Sequence, residues 1–185
     1  MKTNPLSIAF YALFFGLFLV PSSVLAQSVV CTAHTYRGGW AQVYSDGSLV
    51  AERVPQDFIA WQQKFRNDGE KIKSVAFSSR NNGWVIIYRY NGYRYWNIPS
   101  GLVARLREAQ TKQEEILSVT IGPQDQWILI TDKTYWVSPT SWFRAVQDIA
   151  KTGQLIRAEF DSSTCRVWVK STDGNTTEWT TQIGR

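Results

Sequence analysis

Apolar and polar positions alternate along this chain in short runs, separated by turn residues and by three longer helical patterns. "IKSVAF" from Ile72, "ILSVTI" from Ile116 and "LIRAEF" from Leu155 each read as a strand with one face turned to a core. "SVVCTA", which starts at Ser28, reads the same way and sets Cys31 opposite Val75, Val119 and Ala158. A tryptophan follows each run: Trp40, Trp84, Trp127 and Trp168, at spacings of 44, 43 and 41 residues. A turn signal comes next, "SDGS" at 45, "YNGY" at 90, "TDKT" at 131 and "TDGN" at 172. Asp-Gly and Asn-Gly suit a tight hairpin, whose two central residues take positive φ. Past three of these turns stands a second tryptophan, Trp96, Trp136 or Trp179.

A proline then precedes each helical pattern: Pro55, Pro99 and Pro139. Apolar side chains fall at helical spacing behind it: Phe58, Ile59 and Phe65; Leu102, Val103 and Ala109; Trp142, Phe143 and Ile149. Ser100 and Thr140 are placed to satisfy first-turn donors, and Gly69 and Gly153 to end helices. The pattern predicts four tandem units of strand, hairpin and helix over 27–70, 71–114, 115–153 and 154–185, the last without its helix.

Units of this size cannot bury both faces of a small sheet alone, so neighbours must stack. Two architectures satisfy that need. One is a closed four-bladed, propeller-like ring of β-rich units with short helices. The other is an open antiparallel sheet with helices on one face. Closure is the expectation, because it brings Cys31 and Cys165 together at the seam between the first and last units.

The order I-x-x-V-x-F, W-V-I-I, G-Y-R-Y-W and proline over residues 72–99 resembles the blade of a hemopexin-type propeller. The resemblance implies four blades, helices at the blade edges, a disulfide from first blade to last, and a binding scaffold. It departs at Lys73–Ser74, where the family carries Asp-Ala, and in the length of the helices. The family's ion-binding positions have no counterpart here, so no metal and no cofactor are expected.

Residues 1–26 have the build of a secretory signal peptide. Lys2 precedes the apolar run "IAFYALFFGLFLV", and Val24 and Ala26 supply small residues before Gln27. The run has 13 residues, short of a membrane span. A single exported domain over 27–185, secreted or periplasmic and without stable membrane insertion after cleavage, is the expectation. In an oxidising compartment, two cysteines read first as one disulfide, Cys31 to Cys165.

The formal charge of +5 is modest and scattered, which argues against nucleic acid as a partner. Catalytic signatures are weak. His34 is the single histidine, which excludes a histidine-rich zinc site, and Glu114 and Glu115 read as a solvated helix end. The nine tryptophans are the prominent feature. Trp40, Trp84, Trp127 and Trp168 recur at one place in each unit and are assigned to the core. Trp96, Trp136 and Trp179, with Tyr88, Arg89, Tyr93 and Arg94 of "YRYNGYRY", are the candidates for ligand contact.

The expected function is a non-enzymatic binding module that presents aromatics and loops to a glycan or a protein. A secreted inhibitor, inserting "SSRNNG" at 78–83 into an enzyme, is the alternative. An enzyme built on carboxylates brought together by the fold is a third reading.

Overall fold

The computed structural model describes residues 27–139, 143–160 and 164–182. Residues 1–26, expected to be a signal peptide, together with Thr140, Trp142 and the side chain of Phe143, lie outside the described residues. Twelve strands and three α-helices follow one another in the described residues. The first sheet is β1 (Val29–His34), β2 (Trp40–Tyr44) and β3 (Leu49–Glu52), followed by α1 (Gln56–Asn67). The second is β4 (Ile72–Phe77), β5 (Trp84–Tyr88) and β6 (Gly92–Trp96), followed by α2 (Ser100–Thr111). The third is β7 (Ile116–Ile121), β8 (Trp127–Thr131) and β9 (Tyr135–Ser138), followed by α3 (Phe143–Ala150). The fourth is β10 (Gln154–Phe160), β11 (Thr164–Lys170) and β12 (Thr176–Gln182).

Both expected architectures need correction. The strands form four separate three-stranded antiparallel sheets, none of them closed, so the chain is not a closed propeller ring. Nor do they join into one long sheet. The physical reason lies in what fills the space between sheets. Phe58 and Phe65 of α1 pack in one apolar cluster with Ala41 and Val43 of the first sheet and Trp84 and Ile86 of the second. Leu102, Leu106 and Ala109 of α2 likewise share a cluster with Val85 and Ile87 of the second sheet and Leu129 of the third. Val146 of α3 lies with Ile128 and Ile130 of the third and Val167 of the fourth. Side chains, with single main-chain hydrogen bonds such as Ile72 N to Gly47 O and Ile116 N to Tyr90 O, join the sheets in place of ladders of strand pairing.

β5 and β8 therefore bury both faces, and alternate residues serve different clusters. Trp84 and Trp127 are buried in this way. Trp40 and Trp168 are only half-buried, because the first and fourth sheets each have a face that, among the described residues, no helix covers. The assignment of all four tryptophans to the core holds for the middle pair alone.

Smaller departures have local causes. Pro99 is the N-cap of α2, and Ser100, inside the helix, makes no capping hydrogen bond. Gly69 takes φ +68 just past α1, as a helix end requires, whereas Gly153 is extended. Glu114 is buried rather than solvated, since its Oε2 accepts a 2.6 Å hydrogen bond from Thr131 Oγ1.

The first strands of the four sheets lie against one another, β1 on β4, β4 on β7, β7 on β10, and β10 on β1. Each has a free edge, and buried N–H and C=O groups there need partners. Side chains of the neighbouring sheet provide them. Cys31 Sγ donates to Val75 O at 3.4 Å. Ser74 Oγ donates to Val119 O and accepts from Val119 N, both at 3.2 Å. Ser118 Oγ accepts from Ala158 N at 3.3 Å. A β-bulge fixes these positions in every first strand, between Val29 and Cys31, Ile72 and Ser74, Ile116 and Ser118, and Leu155 and Arg157. Cys31 thus corresponds to Ser74 and not to Val75, a shift of one residue from the sequence register.

The bulge register also bears on the expected disulfide, which is not formed. Cys31 and Cys165 are both free and buried. Cys31 packs in the first cluster, 3.7 Å from Ser74 Oγ, while Cys165 packs in the third beside Val167 and Val169. Burial pushes the Cys165 thiol up to about 12 and raises that of Cys31 as well, so both stay protonated near neutrality.

Ser74→Ala removes both hydrogen bonds to Val119 and leaves buried main-chain groups unpaired. It should lower the unfolding free energy in urea by about 1–3 kcal/mol. Ser48→Ala on an exposed turn should stay within about 0.5 kcal/mol of the parent.

Candidate functional site

The fourth sheet meets the first strand differently from the other junctions. At the bulge position, where β4 and β7 carry Ser74 and Ser118, β10 carries Arg157. Two residues on, where they carry Ala76 and Thr120, it carries Glu159. The register of β10 with β11 pairs Arg157 with Trp168 and Glu159 with Arg166. Cross-strand partners share a face, so all four side chains lie opposite the apolar face of Ala158, Cys165, Val167 and Val169.

Glu159 is the hub of this face and is buried. Its Oε1 accepts from Thr32 N of β1 at 2.8 Å and from Arg157 Nε at 3.1 Å, and Arg157 Nη2 bonds the same oxygen. Its Oε2 accepts from Arg166 Nη2 at 3.1 Å. Arg157 Nη1 also reaches Val29 O, at 3.4 Å. The Arg157 and Arg166 guanidinium carbons lie 4.5 Å and 5.5 Å from the centroid of the Trp168 ring, within cation–π range. A carboxylate so buried is tolerable only because each oxygen has charged donors.

Beside this network opens a cavity of about 490 Å³, within the usual size range of small-ligand sites. Val29, Lys73, Leu117, Arg157, Trp168 and Thr176 are among its walls, so the first strands of all four sheets contribute, with Trp168 and Thr176 coming from β11 and β12. Lys73 is paired with Glu115 at 2.5 Å and its side chain remains partly exposed. Cationic and aromatic groups thus line one half-open space, together with strand main chain and Ser74 and Ser118.

The residues singled out from the sequence lie elsewhere. Tyr88 packs on Phe65, with ring centroids 4.4 Å apart. Arg89 forms a bidentate pair with Glu70 and, at φ +54, takes the left-handed conformation expected of Asn91 and Gly92. Arg94 lies over Trp61 of α1, 4.6 Å from the ring centroid. Tyr93 stacks on Tyr95 at 6.1 Å, on the face of β6 that packs with the second cluster, and burial raises its hydroxyl. Trp96 is 61 % exposed, Trp136 is half-buried beside Arg105, and Trp179 is 41 % exposed on β12. These side chains occupy three sheets and both faces of β6. The loop 78–83 is held down, with Ser78 Oγ on Asp125 and Ser79 Oγ on Gly122 O, each at 2.8 Å.

Lys73, Arg157 and Trp168 were not candidates on sequence. The signal was present in "LIRAEF": two opposite charges stand two residues apart in a strand whose counterparts "IKSVAF" and "ILSVTI" hold small residues there. Among the described residues, no group of three or more His, Cys, Asp and Glu side chains could hold a metal ion. Among the same residues, no helix is long and apolar enough to cross a membrane. No family model matches the chain, and no curated protein matches it in sequence, so the resemblance to hemopexin-type propellers gains nothing from either comparison.

Glu159→Ala should cost about 3 kcal/mol in urea unfolding, since it strands Arg157 and the Thr32 amide. Adding Arg157→Ser, which restores the pattern of β4 and β7, should return a large part of that loss. A double variant no more stable than the single one would contradict the assigned roles.

Proposed function

We propose that this chain is an exported, non-enzymatic binding module whose ligand is a glycan bearing an anionic group. The observation that carries the reading is the convergence of Trp168, Arg157 and Lys73 on one cavity of about 490 Å³. Sugars offer flat C–H faces to an indole, hydroxyls to strand main chain and serine, and, when acidic, a carboxylate or sulfate to cations. Each of these complements stands at the cavity wall. Charge-assisted hydrogen bonds from Arg157 and Lys73 give the site its selectivity for acidic over neutral sugars. Export fits a ligand found outside the cytoplasm.

Titration calorimetry of mature protein with acidic and neutral oligosaccharides of one backbone tests this directly. Acidic oligomers should bind in the cavity and neutral ones more weakly. Trp168→Ala should weaken binding about tenfold or more, a loss of roughly 1.4 kcal/mol. Lys73→Gln should weaken it and flatten its salt dependence. Equal binding of both sugar classes, or full affinity in Trp168→Ala, would refute the assignment.

A further inference from the structure

β12 differs from the other three outer strands in the features that govern edge pairing. β3 and β9 have four residues and β6 has five, and a proline follows each within three residues, at Pro55, Pro139 and Pro99. β12 has seven residues, "TTEWTTQ", with no proline, lysine or arginine, and Glu178 is its single charge. It pairs with β11 on one side, and among the described residues no strand pairs with its other edge. Thr176 through Thr180 and Gln182 are exposed, on both faces of the sheet. Long, charge-poor, unprotected edges rich in threonine and aromatic residues are templates for further strand pairing.

We infer that the outer edge of β12 pairs antiparallel with β12 of a second copy of this chain, in a twofold register centred on Trp179. The sequence is self-complementary in that register. Trp179 faces Trp179 of the second copy, an aromatic cross-strand pair on the face shared with Val167. Glu178 falls opposite Thr180, so the single acid never meets its own copy. Thr177 meets Thr181, and Thr176 meets Gln182. Such a contact is isologous and closes at two chains, joining two three-stranded sheets into one of six. A register displaced by two residues toward the start of β12 would set Glu178 against Glu178, and one displaced the other way would break the Trp179 pair by setting Trp179 against Thr181.

Sedimentation equilibrium of the mature protein over a concentration series, up to its solubility limit, tests the inference. A monomer–dimer equilibrium is expected. Thr180→Lys places a cation opposite Glu178 twice per dimer and should tighten association about fivefold, while Thr180→Glu should weaken it by a similar factor. Adding Glu178→Lys to Thr180→Glu should restore association. Far-UV circular dichroism and thermal unfolding of each variant check that the monomer fold persists. A strictly monomeric parent would overturn the inference. So would a dimer that ignores the charge at 180 or shifts the same way with both signs, or the failure of the double variant to recover.

Discussion

The unpaired inner edge of each three-stranded sheet is the constraint on which this structure turns. Among the described residues, β1, β4, β7 and β10 each pair with a strand on one side only, and their other edges face one another in the interior. Main-chain groups buried there without partners would cost about 1–3 kcal/mol apiece. Small polar side chains at the bulge position meet that need across the junctions: Cys31 to Val75, Ser74 to Val119, Ser118 to Ala158. The bulge matters because it rotates one side chain out of the regular alternation and aims it at the adjacent strand. Apolar packing through α1, α2 and α3 supplies the bulk of the attraction, and the hydrogen bonds decide the register in which the sheets meet.

The candidate site arises where this scheme changes. No helix stands between the fourth sheet and the first in the described residues, so the facing surfaces can be polar. Arg157 and Glu159 replace a serine and a small residue there, and Glu159 takes over the Thr32 amide. An ionic network spans more space than a serine hydroxyl, and it brings Trp168 to the wall of the adjoining cavity. One departure from the local pattern thus both joins two sheets and furnishes groups for a ligand. The charge of Lys73 enters the same space from β4, a strand otherwise lined by neutral residues.

Much of the fold was legible in the sequence because strands and helices announce themselves by period. The runs at Ile72, Ile116 and Leu155 are strands, Pro55 and Pro99 open helices, and Phe58, Phe65, Leu102 and Ala109 are buried as their spacing implies. What period cannot reveal is how sheets meet. The closed ring rested on a Cys31–Cys165 bridge, expected of two cysteines in an oxidising compartment, and the structure has four unclosed sheets and two free thiols instead. For a related reason, the candidate residues of "YRYNGYRY" do not gather on one face. Alternation sends Tyr93 and Arg94 to opposite faces of β6, where each finds a partner within the fold. Period is silent on the cavity, whose walls come from strands as far apart in sequence as those of Val29 and Arg157.

Hydrogen exchange at three amides tests the central claim most directly. Thr32 N, Val119 N and Ala158 N have side-chain acceptors in a neighbouring sheet, Glu159, Ser74 and Ser118, in place of a strand partner. If these links hold the sheets in register, all three amides should exchange as slowly as those within the β5 and β8 ladders, through global unfolding alone. Rapid exchange at the three sites, while the ladder amides stay protected, would show that the sheets meet without them and would contradict the account.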